Sequence, residues 1–238
     1  MNYASNLGLA LAVLSLMAVG ISGLGYRLGA WSYKTGISIV KCAGYSSIVT
    51  VVVCLMGVVL WKLNVFAAGL TGALIGLIIG CGVLLLTLKW KLSLDSLPYI
   101  HDITTDTENP PQFLAILPLR ANAENSAEYG GPDIARQQLD AYPDVQPIVV
   151  TEPTHVAFTR ALQAAQDMGW KIVDSSPQSM RIEATATTLW FGFHDDVVVR
   201  ITPVPTGSRI DARSVSRVGK SDLGTNARRI EAYLTRIV

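Results

Sequence analysis

With 238 residues, half of them apolar, and a formal net charge of only +1, the chain is too apolar for one ordinary soluble domain and too charged to lie wholly in a membrane. The charge is unevenly spread. No Asp or Glu precedes Asp95, and the first 91 residues hold only Arg27, Lys34, Lys41, Lys62, Lys89 and Lys91, leaving 13 basic against 18 acidic residues, a net −5, in the remainder. This pattern is a membrane part followed by a mildly acidic soluble part, and the acidic remainder argues against a nucleic-acid partner.

Three apolar stretches, about 7–25, 42–60 and 65–88, are long enough to cross a bilayer core of about 30 Å, which takes roughly 20 helical residues. The first lacks the basic residue that opens a signal peptide and runs into two further spans, so it is expected to be a retained helix. Tyr26 and Trp31, then Trp61 and Lys62, then Lys89, Trp90 and Lys91 supply interfacial anchors after the three spans. Ala68, Gly72, Gly76 and Gly80 recur every four residues and make a smooth ridge for close helix packing, within the chain or against a partner helix or second copy. No ionisable residue lies mid-span, which argues against an ion path and a transporter. Cys42, Cys54 and Cys81 all fall in apolar segments and read as small packing residues.

Residues 1–91 therefore form a three-helix transmembrane region, 92–146 an extended segment and mobile linker, and 147–238 a soluble domain. A possible short helix lies near 132–140. In the soluble part, residues 147–150 read as a short strand. Pro153 opens an amphipathic helix through Val156, Phe158, Ala161, Leu162, Ala165 and Met168, which Gly169 stops. Strands follow at 170–174, 181–188, 197–203 and 209–218, the last two joined through Pro205, Thr206 and Gly207, and a final helix starts near Thr225. The fold class is α+β: three N-terminal transmembrane helices, then an antiparallel sheet with two helices on one face, a helix-grip-like sandwich.

The segments HDITTDTENPPQF (101–113), RIEATATTLWFGFHDDVVVRI (181–201) and RIDARSVSRVGKSDLGTNARRI (209–230), with AYPDVQPIVV (141–150) and MGW (168–170), resemble the family called domain of unknown function 1499. GYRLGAWSYKTG (25–36) is similar to its three-span membrane-anchored members. The resemblance implies no assigned activity. It does imply a protein of the bacterial inner membrane with its C-terminal domain outside the cytoplasm, whereas five of the six membrane-part basic residues lie on the side that the positive-inside rule makes cytoplasmic.

The resemblance maps its most characteristic motif onto Asp102, Thr104, Thr105 and Asp106, which can hold a hard cation or, as we expect, cap backbone groups and pair with arginines of the sheet. Glu183, Arg200 and Asp211 join that expected structural network, with Asp211–Arg213 and Glu183–Arg200 as its pairs. A sharper alternative is an anion or small-ligand site of Arg213, Arg217, Lys220, Asp222 and Asn226 around the start of the last helix. His194, Asp195 and Asp196 follow an apolar run and read as a turn between strands, while His101 and His155 are isolated. No catalytic residue, resident metal or cofactor is assigned, because no serine elbow, phosphate loop or dinucleotide fingerprint is present. The expected function is a non-enzymatic, membrane-anchored module that binds a protein partner or small ligand at the membrane surface, as an accessory or assembly component of a membrane complex. The alternatives are a metal-assisted hydrolase using Asp102, Asp106 and His194, and a binder of lipid or another hydrophobic ligand.

Overall fold

The computed structural model describes residues 3–65 and 69–238. They fall into two units, Met1–Asp95 with Trp190–Gly192, and Ser96–Leu189 with Phe193–Val238.

The first unit is built on α1 (Tyr3–Arg27), α2 (Tyr33–Lys62) and α3 (Leu70–Ser96), all long and apolar enough to cross a membrane. Ser32 caps α2, its hydroxyl accepting the Thr35 N–H at 3.2 Å. The helices bury small residues, such as Gly8, Ala12 and Ser15 of α1 and Ala73, Gly76 and Gly80 of α3, and leave large ones such as Leu14, Val52 and Ile78 exposed. That inversion is what lipid requires, since tails solvate leucine and helices gain only by close backbone approach. Serines between helices are satisfied locally: Ser15 Oγ donates to Ser46 Oγ at 2.9 Å, and Ser47 Oγ to the Gly44 carbonyl at 2.6 Å. Trp190 also belongs to this unit, its ring centroid 4.6 Å from that of Trp90.

The glycine ridge packs inside the chain at two of its positions. A Cβ on Gly76 would stand 2.7 Å from Cys54 Sγ and 3.2 Å from the Leu9 backbone, and one on Gly80 2.9 Å from Thr50 Cγ2. Gly72 has nothing nearer than 3.9 Å, and Ala68 lies outside the described residues. Gly76→Leu is accordingly expected to cost the helical unit about 1–3 kcal/mol through overpacking, while Gly72→Ala leaves it unchanged. Heating the full chain in detergent and following loss of the monodisperse species measures this; equal behaviour of the two variants would contradict the packing.

The second unit holds a six-stranded, wholly antiparallel sheet. Its strands are β1 (Asp102–Thr104), β2 (Ile148–Val150), β3 (Lys171–Ser176), β4 (Arg181–Thr187), β5 (His194–Val204) and β6 (Gly207–Ser216), in the order β1-β6-β5-β4-β3, with β2 beside β1 on the outer side of β6. The β5–β6 hairpin turns through Pro205 and Thr206, and Gly207 takes φ 137°, where a Cβ would collide with the Val150 carbonyl. Besides the expected strand, helix, four strands and helix, the chain adds β1, and the short helix read near 132–140 is α4 (Pro132–Ala141).

Strand alternation separates two faces. On one, Ile182, Ala184, Val197, Val199, Ile201, Ile210 and Ala212 meet α5 (Thr154–Asp167) and α6 (Thr225–Thr235) through Ala157, Phe158, Ala161, Ala227, Ile230 and Leu234. Trp170 stacks on Tyr233 at 4.8 Å, and the Tyr233 hydroxyl donates to the Ala161 carbonyl at 2.9 Å; burial pushes that phenol strongly upward in pKa. The α+β architecture with both helices on one face is thus present. The other face carries charge, and the segment expected to be linker covers it.

Candidate functional site: the arginine and carboxylate face of the sheet

Along β6 the alternation sets Arg209, Asp211, Arg213 and Val215 on the face opposite the helices, and the antiparallel register brings Arg200, Val198 and Asp196 of β5 beside them. From β4 come Arg181, Glu183 and Thr185. A sheet face this charged stays folded only if each buried charge finds a partner.

Arg213 is 0% exposed. Its guanidinium grips Asp102 with both arms, Nε to Oδ1 at 2.9 Å and Nη2 to Oδ2 at 2.8 Å, and donates further to the carbonyls of Pro111 at 3.1 Å and Ala127 at 2.8 Å. The rings of Phe113 and Tyr129 lie 5.1 and 5.5 Å from it. Burial, with the Asp102 charge adding to it, pushes the Tyr129 phenol up to about 12. Asp196 receives three groups: Arg217 bidentately at 2.8 and 2.8 Å, Arg120 Nη1 at 2.7 Å and the Thr185 hydroxyl at 2.8 Å. Asp106 accepts from Arg200 at 2.9 Å and Arg209 at 3.2 Å, and Asp211 from the same two arginines at 3.2 and 2.9 Å. Hydrogen bonding to Asp211 raises the Arg209 pKa above its ordinary value.

Glu183 bonds backbone as well as charge. Its carboxylate accepts the N–H groups of Leu114, Ala115 and Ile116 at 2.9, 3.1 and 2.9 Å, and Arg181 Nε at 2.8 Å. Phe113 and Ile116 then pack on Val198 and Val215. Thr105 continues the β1 pairing: its N–H donates to the Ala212 carbonyl at 2.9 Å and its hydroxyl accepts the Ala212 N–H at 3.0 Å. Gln138 of α4 closes the outer side of β1, accepting the Thr104 N–H at 2.9 Å and donating to its carbonyl at 2.7 Å.

The network residues Asp102, Thr104, Thr105, Asp106, Glu183, Arg200 and Asp211 therefore all bond within the chain, but through other pairs than expected. Asp211 takes Arg200 and Arg209 in place of Arg213, and Glu183 takes Arg181 in place of Arg200, because the register sets Arg200 opposite Asp211 and Arg213 opposite Val198. The five ligand candidates are not drawn into one cleft. Arg213 and Arg217 are bound to carboxylates, Asp222 accepts the N–H groups of Gly224 and Asn226 at 2.8 and 2.7 Å, and Asn226 is buried against Ser214 and Ser216; Lys220 is exposed. Burial raises the Asp222 pKa, and those backbone donors hold it down only in part.

The hydrolase trio is separated as well. Asp106 lies against Arg200, whereas His194 lies six residues along β5, about 20 Å away, with its Nδ1 3.1 Å from Thr187 Oγ1. Asp195, on the helix side of β5, takes Arg229 of α6 at 2.5 Å. Among the described residues no group of three His, Cys, Asp or Glu side chains is placed to hold a metal. Between the helices and the sheet, where a hydrophobic ligand would sit, lie the core side chains named above.

Sequence reasoning missed Arg120, Gln138 and Arg229. Arg120 had one signal, a basic residue ending the apolar run LAILPL (114–119); Gln138 and Arg229, each on an amphipathic helix, had none.

His194, exposed at the start of β5, is expected to give the face a pH dependence. Burial and the Arg217 charge lower its pKa below the ordinary value, outweighing Asp196 and Asp195. A histidine depressed in the folded state contributes stability that is present above about 6.5 and lost as pH falls through the folded value. The urea midpoint of the second unit, read by pulse proteolysis of the full chain, is expected to drop between pH 7.5 and 5.5, and His194→Gln to reduce that drop. An identical drop in the variant would remove His194 as the cause.

No curated protein matches the chain. A family model described as a protein of unknown function, DUF1499, matches residues 102–237, more than half of the chain, and takes in every strand of the sheet and helices α4 to α6. The chain therefore belongs to the DUF1499 family.

Proposed function

We propose that this chain is a non-enzymatic module of the bacterial inner membrane, anchored by α1 to α3, whose α+β unit stands outside the cytoplasm and binds a partner protein as an accessory component of a membrane complex. One observation carries the reading. The charged side chains that would serve a small ligand or a metal are engaged in tying residues 105–131 to the sheet, as Arg213 with the Pro111 and Ala127 carbonyls and Glu183 with three backbone amides exemplify, so contact with other molecules falls to the outer surface.

Two measurements test it. A single cysteine at the exposed position Ser126, in a chain lacking Cys42, Cys54 and Cys81, is expected to react with a membrane-impermeant thiol reagent in intact cells. Protection until lysis would place the unit in the cytoplasm. Crosslinking the full chain in native membranes is expected to yield a complex containing a second polypeptide, and recovery of the monomer alone would overturn the binding reading.

A further inference from the structure

The connection between β4 and β5 reads TLWFGF (188–193), uncharged throughout and carrying the large apolar residues Leu189, Trp190, Phe191 and Phe193. Its middle, Trp190–Gly192, belongs to the helical unit. There Trp190 packs against the cluster of Val19 from α1, Ala43 from α2 and Val83 from α3, with its ring beside that of Trp90. Phe191 is buried, its ring centroid 6.3 Å from that of Tyr26.

Two glycines make the room. A Cβ on Gly23 would stand 2.5 Å from Trp190 Cδ1 and 2.8 Å from the Trp190 carbonyl oxygen, and one on Gly36 would stand 2.7 Å from Phe191 Cε1. The seat therefore admits the backbone of the turn as well as its rings. At its ends the turn satisfies its own polar groups, as irregular backbone at a bilayer must: the Thr188 N–H donates to the Phe193 carbonyl, and the Phe193 N–H to Thr188 Oγ1, both at 2.9 Å.

Depth decides what surrounds this turn. Gly23 precedes Arg27, the last residue of α1, by one helical turn, so the Trp190 carbonyl stands about 6 Å inside that end at a rise of about 1.5 Å per residue. Tyr26 and Trp90 supply the aromatic belt of a membrane interface at this end of the helices. At the level of Gly23, α1 leaves Ile21 and Leu24 46% and 51% exposed, a surface suited to acyl chains. Leu189 is 92% exposed and its Cα is one chain step, about 3.8 Å, from that of Trp190. At that depth the solvent is lipid, which covers a leucine favourably without any further partner.

We infer that the β4–β5 turn is a fourth contact of this chain with the bilayer: Trp190 and Phe191 sit in the seat between the helices, and Leu189 enters the boundary between headgroups and acyl chains. This rests on α1 to α3 crossing the membrane and is independent of partner binding.

The experiment uses the full chain, lacking Cys42, Cys54 and Cys81, in phosphatidylcholine vesicles, with a nitroxide on Leu189→Cys. Collision of the label with oxygen, which concentrates in lipid, is compared with collision with nickel ethylenediaminediacetate, which stays in water. Leu14→Cys, exposed in the middle of α1, and Gln137→Cys, exposed on α4, are the comparison positions. The ratio of oxygen to nickel collisions at Leu189 is expected to exceed that at Gln137 about tenfold, as for a side chain at the headgroup–acyl boundary. Gly23→Leu, which takes the space of Trp190, should lower the ratio to that of Gln137, whereas Gly20→Leu, where a Cβ meets nothing within 4 Å, should leave it unchanged. A label at Leu189 open to nickel would overturn the proposal while Leu14 stays lipid-exposed. A label closed to both reagents would also overturn it, by showing that protein covers the leucine. A ratio indifferent to Gly23→Leu would remove the glycine seat as what holds the turn, and nickel access at Leu14 would sink the membrane anchoring itself.

Discussion

Asp196→Ala is expected to lower the unfolding free energy of the second unit by about 3–5 kcal/mol, the cost of leaving a buried charge without its partner. Two arginines depend on this carboxylate, and they are not equivalent. The Arg217 side chain is 19% exposed and can turn toward water, whereas that of Arg120 is 4% exposed. The loss is therefore carried mainly by Arg120, and Arg120→Met on the Asp196→Ala background should restore a large part of it, since an apolar side chain of similar length removes the stranded charge. Urea midpoints from pulse proteolysis of the full chain in detergent, for wild type, both single variants and the double variant, give the coupling. Additive losses would show that the pair does not act as a unit.

Asp102→Ala is expected to cost a similar 3–5 kcal/mol and to act more locally. Arg213 has no route to solvent, and its remaining acceptors, the carbonyls of Pro111 and Ala127, are dipoles rather than charges. The variant should therefore release those two points of the covering segment first. Hydrogen exchange of the full chain is expected to accelerate in peptides spanning 105–131 before it does in β4 or β5. Arg213→Lys keeps the charge but not the planar fork, and should reproduce most of the effect. Uniform acceleration across the sheet would mean that Arg213 supports the core rather than the covering segment.

The two variants show what could be read in the residues and what could not. The alternation of Ile182, Ala184 and Ala186 with Arg181, Glu183 and Thr185 identifies a half-buried strand, and the same alternation in 209–217 sets its arginines and aspartate on one face. Such periodicity is local, because successive strand side chains point to opposite sides whatever lies beyond them. Partner choice is not local. Asp211 meets Arg200 because β5 and β6 pair with Arg200 opposite Asp211, and Arg213 meets Asp102 because a three-residue strand from 111 positions earlier lines the outer side of β6. That strand, Asp102–Thr104, is too short to show a period, and forms where β6 offers it a row of backbone groups and Gln138 closes its other side.

Composition and periodicity determined that the first ninety or so residues form helices suited to a bilayer and that residues 147–238 form an α+β domain, since length, apolarity and period are properties of a stretch taken by itself. Tertiary structure decided which glycines of the ridge touch another helix, which arginine neutralises which carboxylate, and that Leu114, Leu117 and Leu119 face outward while Phe113 and Ile116 face in. Burial and pairing are relations between distant segments. They exist only once the register of the sheet has brought residues 105–131 and the faces of β4, β5 and β6 together.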